Sequence, residues 1–411
     1  MSIRGTIGDT LSCIRSMSDK PRDASPEYSC PFCRAFFRSN TELKDHLETY
    51  LSPPDGLKTR TFEGMRRNPL NIRAYTDGTA DMHYQQQAEG ILRLKRVLSS
   101  FLVIIPEQIT EYGSFICRTQ VGESDIDLSI DFPFESIMTH DEQIRFSRAM
   151  PDTKARDRIF DEFVLRLLKK YLENKRYRTI FCPGRVRVLK VLLILGGFDV
   201  CVDLTLNNTL AIRNSQLIAE YIRIYPPFQL LVLIVKHWVK VKGIGGATNE
   251  FLSSYAYTIW MIYFLIRYDY VPNLQEASHS SEIIDDFECK FLKNSNAVQK
   301  RIPFTKLLHG FYEFVCGTNW NHVVVCIKTS RVKSFAMKAS ERVKWRRDQL
   351  WIEDPFDTRR NLGDVMYKKE NRRLLEREFK EAFQVLESKS ERRIDEYFDL
   401  NLEALIGAFA R

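Results

Sequence analysis

Hydrophobic and polar positions fall into two periods along the chain. Residues 185–206 read RVRVLKVLLILGGFDVCVDLTL, two short apolar runs on either side of a Gly-Gly pair. Runs of this length, rich in Val and Leu and bounded by glycine, predict two β-strands. The second alternates, with Val200, Val202 and Leu204 on one face and Cys201, Asp203 and Thr205 on the other. The same alternation in DIDLSI puts Asp125 and Asp127 on one side of a strand while Ile126 and Leu128 face a core. Elsewhere the period is near 3.6. QQQAEGILRLKRVLSSFL, ending at Leu102, predicts an amphipathic helix, and a helical pattern runs from Glu142 to Glu173. Leu230 to Val235 and Ala256 to Ile266 are apolar nearly all round and predict buried helices, too short for the roughly 20 residues that span a membrane. Glu370 to Ser388 interleaves apolar and charged residues and predicts a helix with one solvated face. Strands and helices mix in an α+β pattern, and a partner membrane is not expected.

The periods also divide the chain. Residues 1–25 carry Ile3, Ile7, Leu11 and Ile14 on one helical face with Arg4 and Arg15 elsewhere, a weak mitochondrial-presequence pattern that Asp9 interrupts. A flexible N-terminus is the expectation, in a mitochondrial or cytoplasmic protein. Residues 26–52 form a zinc-finger-like module and 53–82, rich in Pro, Gly, Asn, Asp and Thr without a period, a linker or irregular covering segment. Residues 83–215 make a catalytic domain and 216–411 a helical one. The 411 residues are 44% hydrophobic, enough for two or three packed domains. Nine scattered cysteines with one Cys-x-x-Cys fit a metal site in a reducing compartment better than a disulfide framework. A net charge of +8 from 61 basic and 53 acidic residues permits a polyanionic partner without specifying one.

In the N-terminal module, YSCPFCRAFFRSNTELKDH places Cys30 and Cys33 two residues apart, then Phe37, Leu43 and His46. This is the spacing of the first three ligands and both core residues of a Cys2His2 finger. Tyr50, Leu51 and Ser52 stand where a fourth ligand should fall. Either a distant residue, tentatively His83, completes a Zn²⁺ site, or the finger stands without zinc. Its role is structural or RNA-contacting.

Side-by-side carboxylates such as Asp125 and Asp127 repel, a cost usually tolerated where a cation neutralises them. Asp203 offers a third carboxylate from a neighbouring strand, and three such groups can hold two Mg²⁺ (or Mn²⁺) ions. One ion would activate an attacking hydroxyl and the other clamp a triphosphate. Upstream, Gly113 lets backbone approach phosphate closely and Ser114 offers a hydroxyl donor. Phosphoryl or nucleotidyl transfer is the chemistry this pattern favours.

The Gly-Ser, Asp-x-Asp and distal Asp constellation resembles the nucleotidyltransferase fold of the DNA polymerase β superfamily. VDLTLNNTLAIRNS, LLVLIVKHWVKVKGI, FLSSYAYTIWMIYFL and WIEDPFDTRRNLG resemble, in order and spacing, the signature segments of terminal uridylyltransferases and the related template-independent poly(A) polymerases. The match covers roughly residues 85–400. The resemblance implies a bilobal protein: a catalytic lobe of mixed sheet and helices, a mostly helical central lobe, and a nucleotide cleft between them. By correspondence Asp125, Asp127 and Asp203 are the metal ligands, and Asn214 with Ser215 sits at the ribose. Lys236 and Lys240 reach the triphosphate, Ser254 assists them, and Tyr255 stacks on the base. The two lysines share one face of an otherwise apolar helix, where ammonium groups need an anionic partner.

The implied activity is addition of nucleotides to an RNA 3′ end. A catalytically silent zinc-finger and RNA-binding scaffold is the alternative of another class, disfavoured because all three aspartates and both lysines are present. Relatives commonly carry a histidine just before the Asn of the IEDPF segment, whereas Arg360 precedes Asn361 here. A guanidinium has only donors and suits the O4 acceptor of uracil. Asp354 and Asp357 would accept from N3–H. The expectation is therefore UTP over ATP, with a poly(A) polymerase as the runner-up and Arg360 paired with Asp357 or Asp364 as the non-functional reading.

Overall fold

A computed structural model describes residues 28–410, apart from 33–34, 50–61, 63–71, 123, 134–135, 185, 280, 301 and 335–349. The chain clusters into two compact units. One comprises residues 1–67, 84–111 and 125–208, the other 68–83, 112–124 and 209–411. The loop from Tyr112 to Ser124, expected inside a catalytic domain of 83–215, thus groups with the helical unit.

The first unit begins with a hairpin, β1 (Tyr28–Ser29) and β2 (Phe36–Phe37), followed by α1 (Asn40–Glu48). Ser39 caps α1 by accepting from the Glu42 amide, and the Glu42 carboxylate accepts in return from the Arg38 amide. Leu43 and Leu47 are fully buried. A long helix α2 (Ala80–Leu102) leads into β3 (Ile109–Tyr112) and β4 (Ile126–Ile130). Next come α3 (His140–Ala149), α4 (Thr153–Asn174), β5 (Arg178–Cys182), β6 (Val188–Leu195) and β7 (Phe198–Leu206). The single helical pattern of 142–173 is therefore broken in two. Pro151 cannot donate to a helix, and the carboxylate of Asp152 caps α4 through the amides of Lys154 and Ala155.

Five strands form one mixed sheet in the order β3-β4-β7-β6-β5. β4 and β7 run parallel, whereas β6 is antiparallel to both β7 and β5. The Gly196-Gly197 pair closes the β6–β7 hairpin with both residues at positive φ, 58° and 86°. Ile126, Leu128, Leu189, Val191, Val202 and Leu204 are fully buried in the sheet, and Ile159, Leu165, Leu168 and Leu172 of α4 are equally buried. Phe32 is inserted between α3 and α4, with its ring centroid 5.2 Å from Phe146 and 4.7 Å from Phe163. The finger-like module is therefore built into the core of this unit.

The second unit is mostly helical: α5 (Thr209–Ile224), α6 (Pro227–Val241), α7 (Ser254–Arg267), α8 (Phe304–Gly317), α9 (Lys369–Glu387), α10 (Glu391–Phe398) and α11 (Leu402–Phe409). A small sheet joins β8 (Val323–Val325) antiparallel to β9 (Lys333–Ser334) and parallel to β10 (Trp351–Ile352). As their sequence predicts, α6 and α7 are buried along most of their length, and Trp238 meets Tyr312 of α8 and Phe379 of α9 edge-on. Ile72, in the span expected to be a linker, is 3% exposed and joins this core. Among the described residues no helix is long and apolar enough to cross a membrane.

Candidate active site

Parallel pairing of β4 with β7 sets Asp127 in Cα register with Asp203, and antiparallel pairing of β6 with β7 sets Lys190 against Asp203 from the other side. Asp125 and Cys201 lie two residues earlier on their strands, on the same face. The result is a compact cluster in which ligand atoms of Asp125, Cys201 and Asp203 all lie within 4.8 Å of one another. The Lys190 ammonium bridges the carboxylates, donating to Asp125 Oδ2 at 2.8 Å and to Asp203 Oδ1 and Oδ2 at 2.7 and 2.9 Å. Asp127, predicted as an equal third ligand, is on the same strand face as Asp125 but not in this cluster.

Burial raises the Asp203 pKa to about 6, the neighbouring Asp125 charge adds to the rise, and Lys190 opposes it. For Lys190, burial works against the charge, but the carboxylates of Asp203 and Asp125 outweigh it and hold its pKa above the usual lysine value. Burial, reinforced by both aspartates, keeps the Cys201 thiol protonated well above the ordinary range. The carboxylates fit a divalent cation: hard oxygens converge on a position where a positive charge is already accommodated. Sequence reasoning passed over Lys190 and Cys201. The signal was present, because a two-residue Gly196-Gly197 turn fixes the hairpin register and pairs Lys190 with Asp203.

The remaining predicted residues belong to the second unit. Gly113 adopts φ +72° and donates its amide to Ser215 Oγ at 2.8 Å, while that hydroxyl donates to Ala211 O, also at 2.8 Å. The Ser215 hydroxyl, expected at the ribose, is thus engaged in holding the Gly113-Ser114 turn against α5. Asn214 keeps a buried side-chain oxygen without a hydrogen-bond partner. On α6, Lys236 donates to Thr119 O, and Lys240 lies over Gly122. A Cβ on Gly122 would stand 2.5 Å from Lys240 Nζ, so the absence of a side chain leaves that ammonium its place.

Ser253 caps α7 by accepting from the Ala256 amide, so Ser254 is left exposed at the first turn beside Tyr255. Tyr255 donates to Asp354 Oδ2 at 3.4 Å, and Arg360 Nη1 lies 3.6 Å from the same oxygen. Asp354 Oδ1 accepts from the amides of Phe356 and Asp357, which locks the carboxylate in the turn. Burial raises the Asp354 pKa against the pull of those amides and of Arg360. Burial also raises that of the Tyr255 hydroxyl, with Asp354 reinforcing it. Arg360 faces Asp354 here, whereas Asp364 accepts from Asn361 Nδ2. Asp354 is only 2% exposed, so the surface of this corner is formed by the half-buried Tyr255 and the Arg360 guanidinium.

In the finger-like module, Cys30 is buried and the His46 ring lies 4.8 Å from that of Phe37, while Cys33 falls outside the described residues. His83, the tentative fourth ligand, is 9% exposed near the start of α2 and belongs to the second unit.

The mixed sheet and the helical unit have the fold of a solved nucleotidyltransferase, Cid1. Residues 78–223 match the family model of the central palm domain of mitochondrial-like poly(A) RNA polymerases. A crystal structure of a mutant Cid1 poly(U) polymerase bound to MgATP superposes with TM-score 0.63 over 77% of this chain and 93% of that one, at 24% identity. A cytoplasmic RNA terminal U-transferase gives TM-score 0.61 over 80% and 98% of the two chains, at 22% identity. Terminal uridylyltransferase cid1 of Schizosaccharomyces pombe is 30% identical over 62% of this chain and 63% of its own length. For human terminal uridylyltransferase 7 the figures are 27%, 51% and 14%, and for the poly(A) RNA polymerase GLD2 of Xenopus tropicalis 24%, 54% and 43%. The chain thus spans less than two thirds of these curated relatives. The relatives matched are terminal uridylyltransferases and poly(A) RNA polymerases.

Proposed function

We propose that the protein is an RNA terminal uridylyltransferase, adding UMP from UTP to RNA 3′ ends without a template. Asp125 and Asp203, with Asp127 in register beside Asp203, would hold the Mg²⁺ ions that polarise the α-phosphate and activate the 3′-hydroxyl. Asp203 accepts the hydroxyl proton on its carboxylate as the oxygen attacks the α-phosphorus. The bond to the β-phosphate oxygen breaks and pyrophosphate leaves. Lys236 and Lys240 supply the positive charge that holds the triphosphate and its leaving group, and the exposed Ser254 assists them. The turn at Gly113, pinned by Ser215, presents the Ser114 hydroxyl to phosphate, and the unpartnered Asn214 oxygen accepts from a ribose hydroxyl.

The observation that carries the choice of base is the joint presentation of Arg360 and Asp354 beside Tyr255. Arg360 donates to uracil O4 and Asp354 accepts from N3–H, with Asp357 assisting through water. Facing Arg360 with the amino group of adenine or cytosine leaves both donors unpaired, a cost of about 1 to 3 kcal/mol and roughly tenfold to hundredfold discrimination. ATP is the second reading, favoured by the poly(A) polymerases among the relatives. Single-nucleotide kcat/KM values for UTP and ATP on a labelled RNA test the choice. UTP should win, and Arg360→Ala should shrink the ratio at least severalfold; ATP equal to or better than UTP overturns the reading.

Zinc in the finger-like module belongs to the same proposal, held by Cys30, Cys33 and His46. Elemental analysis should find one zinc per chain, lost in Cys30→Ser, and a zinc content unchanged in His83→Ala would exclude that residue as the fourth ligand.

A further inference from the structure

We propose that Lys190 is a built-in counter-ion which occupies the metal position of the carboxylate cluster and must be displaced when a divalent cation enters. The inference rests on the two-metal reading above and concerns a residue for which that reading has no role. Lys190 stands in an otherwise apolar strand, VLKVLLIL, with a side chain only 17% exposed, so its ammonium depends on protein anions for solvation. It finds three oxygens, one of Asp125 and both of Asp203. Among the described residues the same two carboxylates, with the Cys201 sulfur, form the group whose ligand atoms lie close enough together to hold a cation.

An ammonium and a metal ion cannot share that position. The nitrogen sits 2.7 to 2.9 Å from its oxygens, whereas Mg²⁺ demands oxygens at about 2.1 Å in near-octahedral geometry. The four-carbon lysine stem lets the ammonium swing aside without moving the strand. Two consequences follow. In the metal-free protein Lys190 keeps two like charges assembled that would otherwise push the strand ends apart. It also competes with a lone cation, so that metal arriving together with a triphosphate, which offers ligands of its own, is favoured over metal alone. Lys190 is therefore a positioning residue that sets when the site fills.

Mn²⁺ binding in the absence of nucleotide, followed by calorimetry and by the loss of the free-ion electron paramagnetic resonance signal, tests this on the 411-residue chain. Lys190→Met keeps the stem and removes the charge. It should bind Mn²⁺ about tenfold more tightly than wild type, because a competing charged partner has been removed. Its Tm should fall in chelator and recover on adding Mn²⁺, and Lys190→Arg should restore weak binding. Unchanged or weaker Mn²⁺ binding by Lys190→Met, while Asp203→Asn abolishes binding, overturns the counter-ion role and leaves the two-metal reading intact. Failure of the wild type to bind Mn²⁺ even with UTP present overturns both.

Discussion

Each unit holds a pair of like charges, and the two do so by different means. In the first, Asp125 and Asp203 come from different strands and are brought together by sheet register, with a lysine lodged between them. In the second, Lys236 and Lys240 come from one helix, a turn apart. They rest on backbone, Lys236 on the Thr119 carbonyl and Lys240 over the bare Cα of Gly122. The carboxylates are thus bridged by a lysine of their own sheet, while Lys236 donates to a carbonyl and Lys240 has room over a glycine. In the proposed reaction the lysine side receives the anionic triphosphate. The carboxylate side is prepared to exchange one cation for another.

Breaking the carboxylate side should have the largest effect. Asp203→Ala is expected to lower RNA extension about a thousandfold or more with an unchanged circular dichroism spectrum, since no neighbour can replace its oxygens. Near-normal extension would contradict the two-metal assignment. On the lysine side, Lys236→Ala should reduce kcat/KM for the nucleotide roughly a hundredfold, because a charge-assisted contact to phosphate is lost, yet the Mn²⁺ affinity of the free protein should not move. A parallel loss of Mn²⁺ binding would show that the two sides do not act separately.

Acidity sharpens the contrast. The Asp203 pKa is raised to about 6, so below that pH its carboxylate holds a proton that a metal must displace. Mn²⁺ affinity should fall about tenfold for each pH unit below 6 and level off above it, as titration calorimetry would reveal. A flat profile from pH 5 to 7 would remove Asp203 from the ligand set. The smallest effect is expected at Gly122, where φ is +63° and an added methyl would meet Lys240 Nζ. Gly122→Ala should raise the nucleotide KM a fewfold and cost about 1 kcal/mol in chemical denaturation, with the KM change absent in a Lys240→Met background.

Much of this arrangement was legible in the chain. Alternation found the strands bearing Asp125, Asp127 and Asp203, and the all-round apolar segments found α6 and α7. Three features escaped because they depend on neighbours rather than on period. Lys190 reads as a stray charge until the Gly196-Gly197 turn is used to count rungs across the hairpin. Ser215 reads as a free hydroxyl until the Gly113 amide arrives from a hundred residues upstream. Arg360 finds Asp354 rather than Asp357 or Asp364, because a turn folds the guanidinium back over the carboxylate that begins it. Pro151 and Asp152, by contrast, are local signals: a helix stop and a helix start lay side by side within a continuous apolar period.

The wedge formed by Phe32 bears on the order in which the protein is made. Its partners Phe146 and Phe163 follow more than a hundred residues later, and translation at about 5 to 20 residues per second delays them by several seconds to tens of seconds. During that interval the module has a hairpin and a capped helix but no surface on which to bury its phenylalanine. The closing of so long a loop is entropically slow. This early segment is therefore among the last of its unit to acquire its tertiary partners, and the nascent chain carries an exposed aromatic side chain that invites chaperone binding until α3 and α4 emerge.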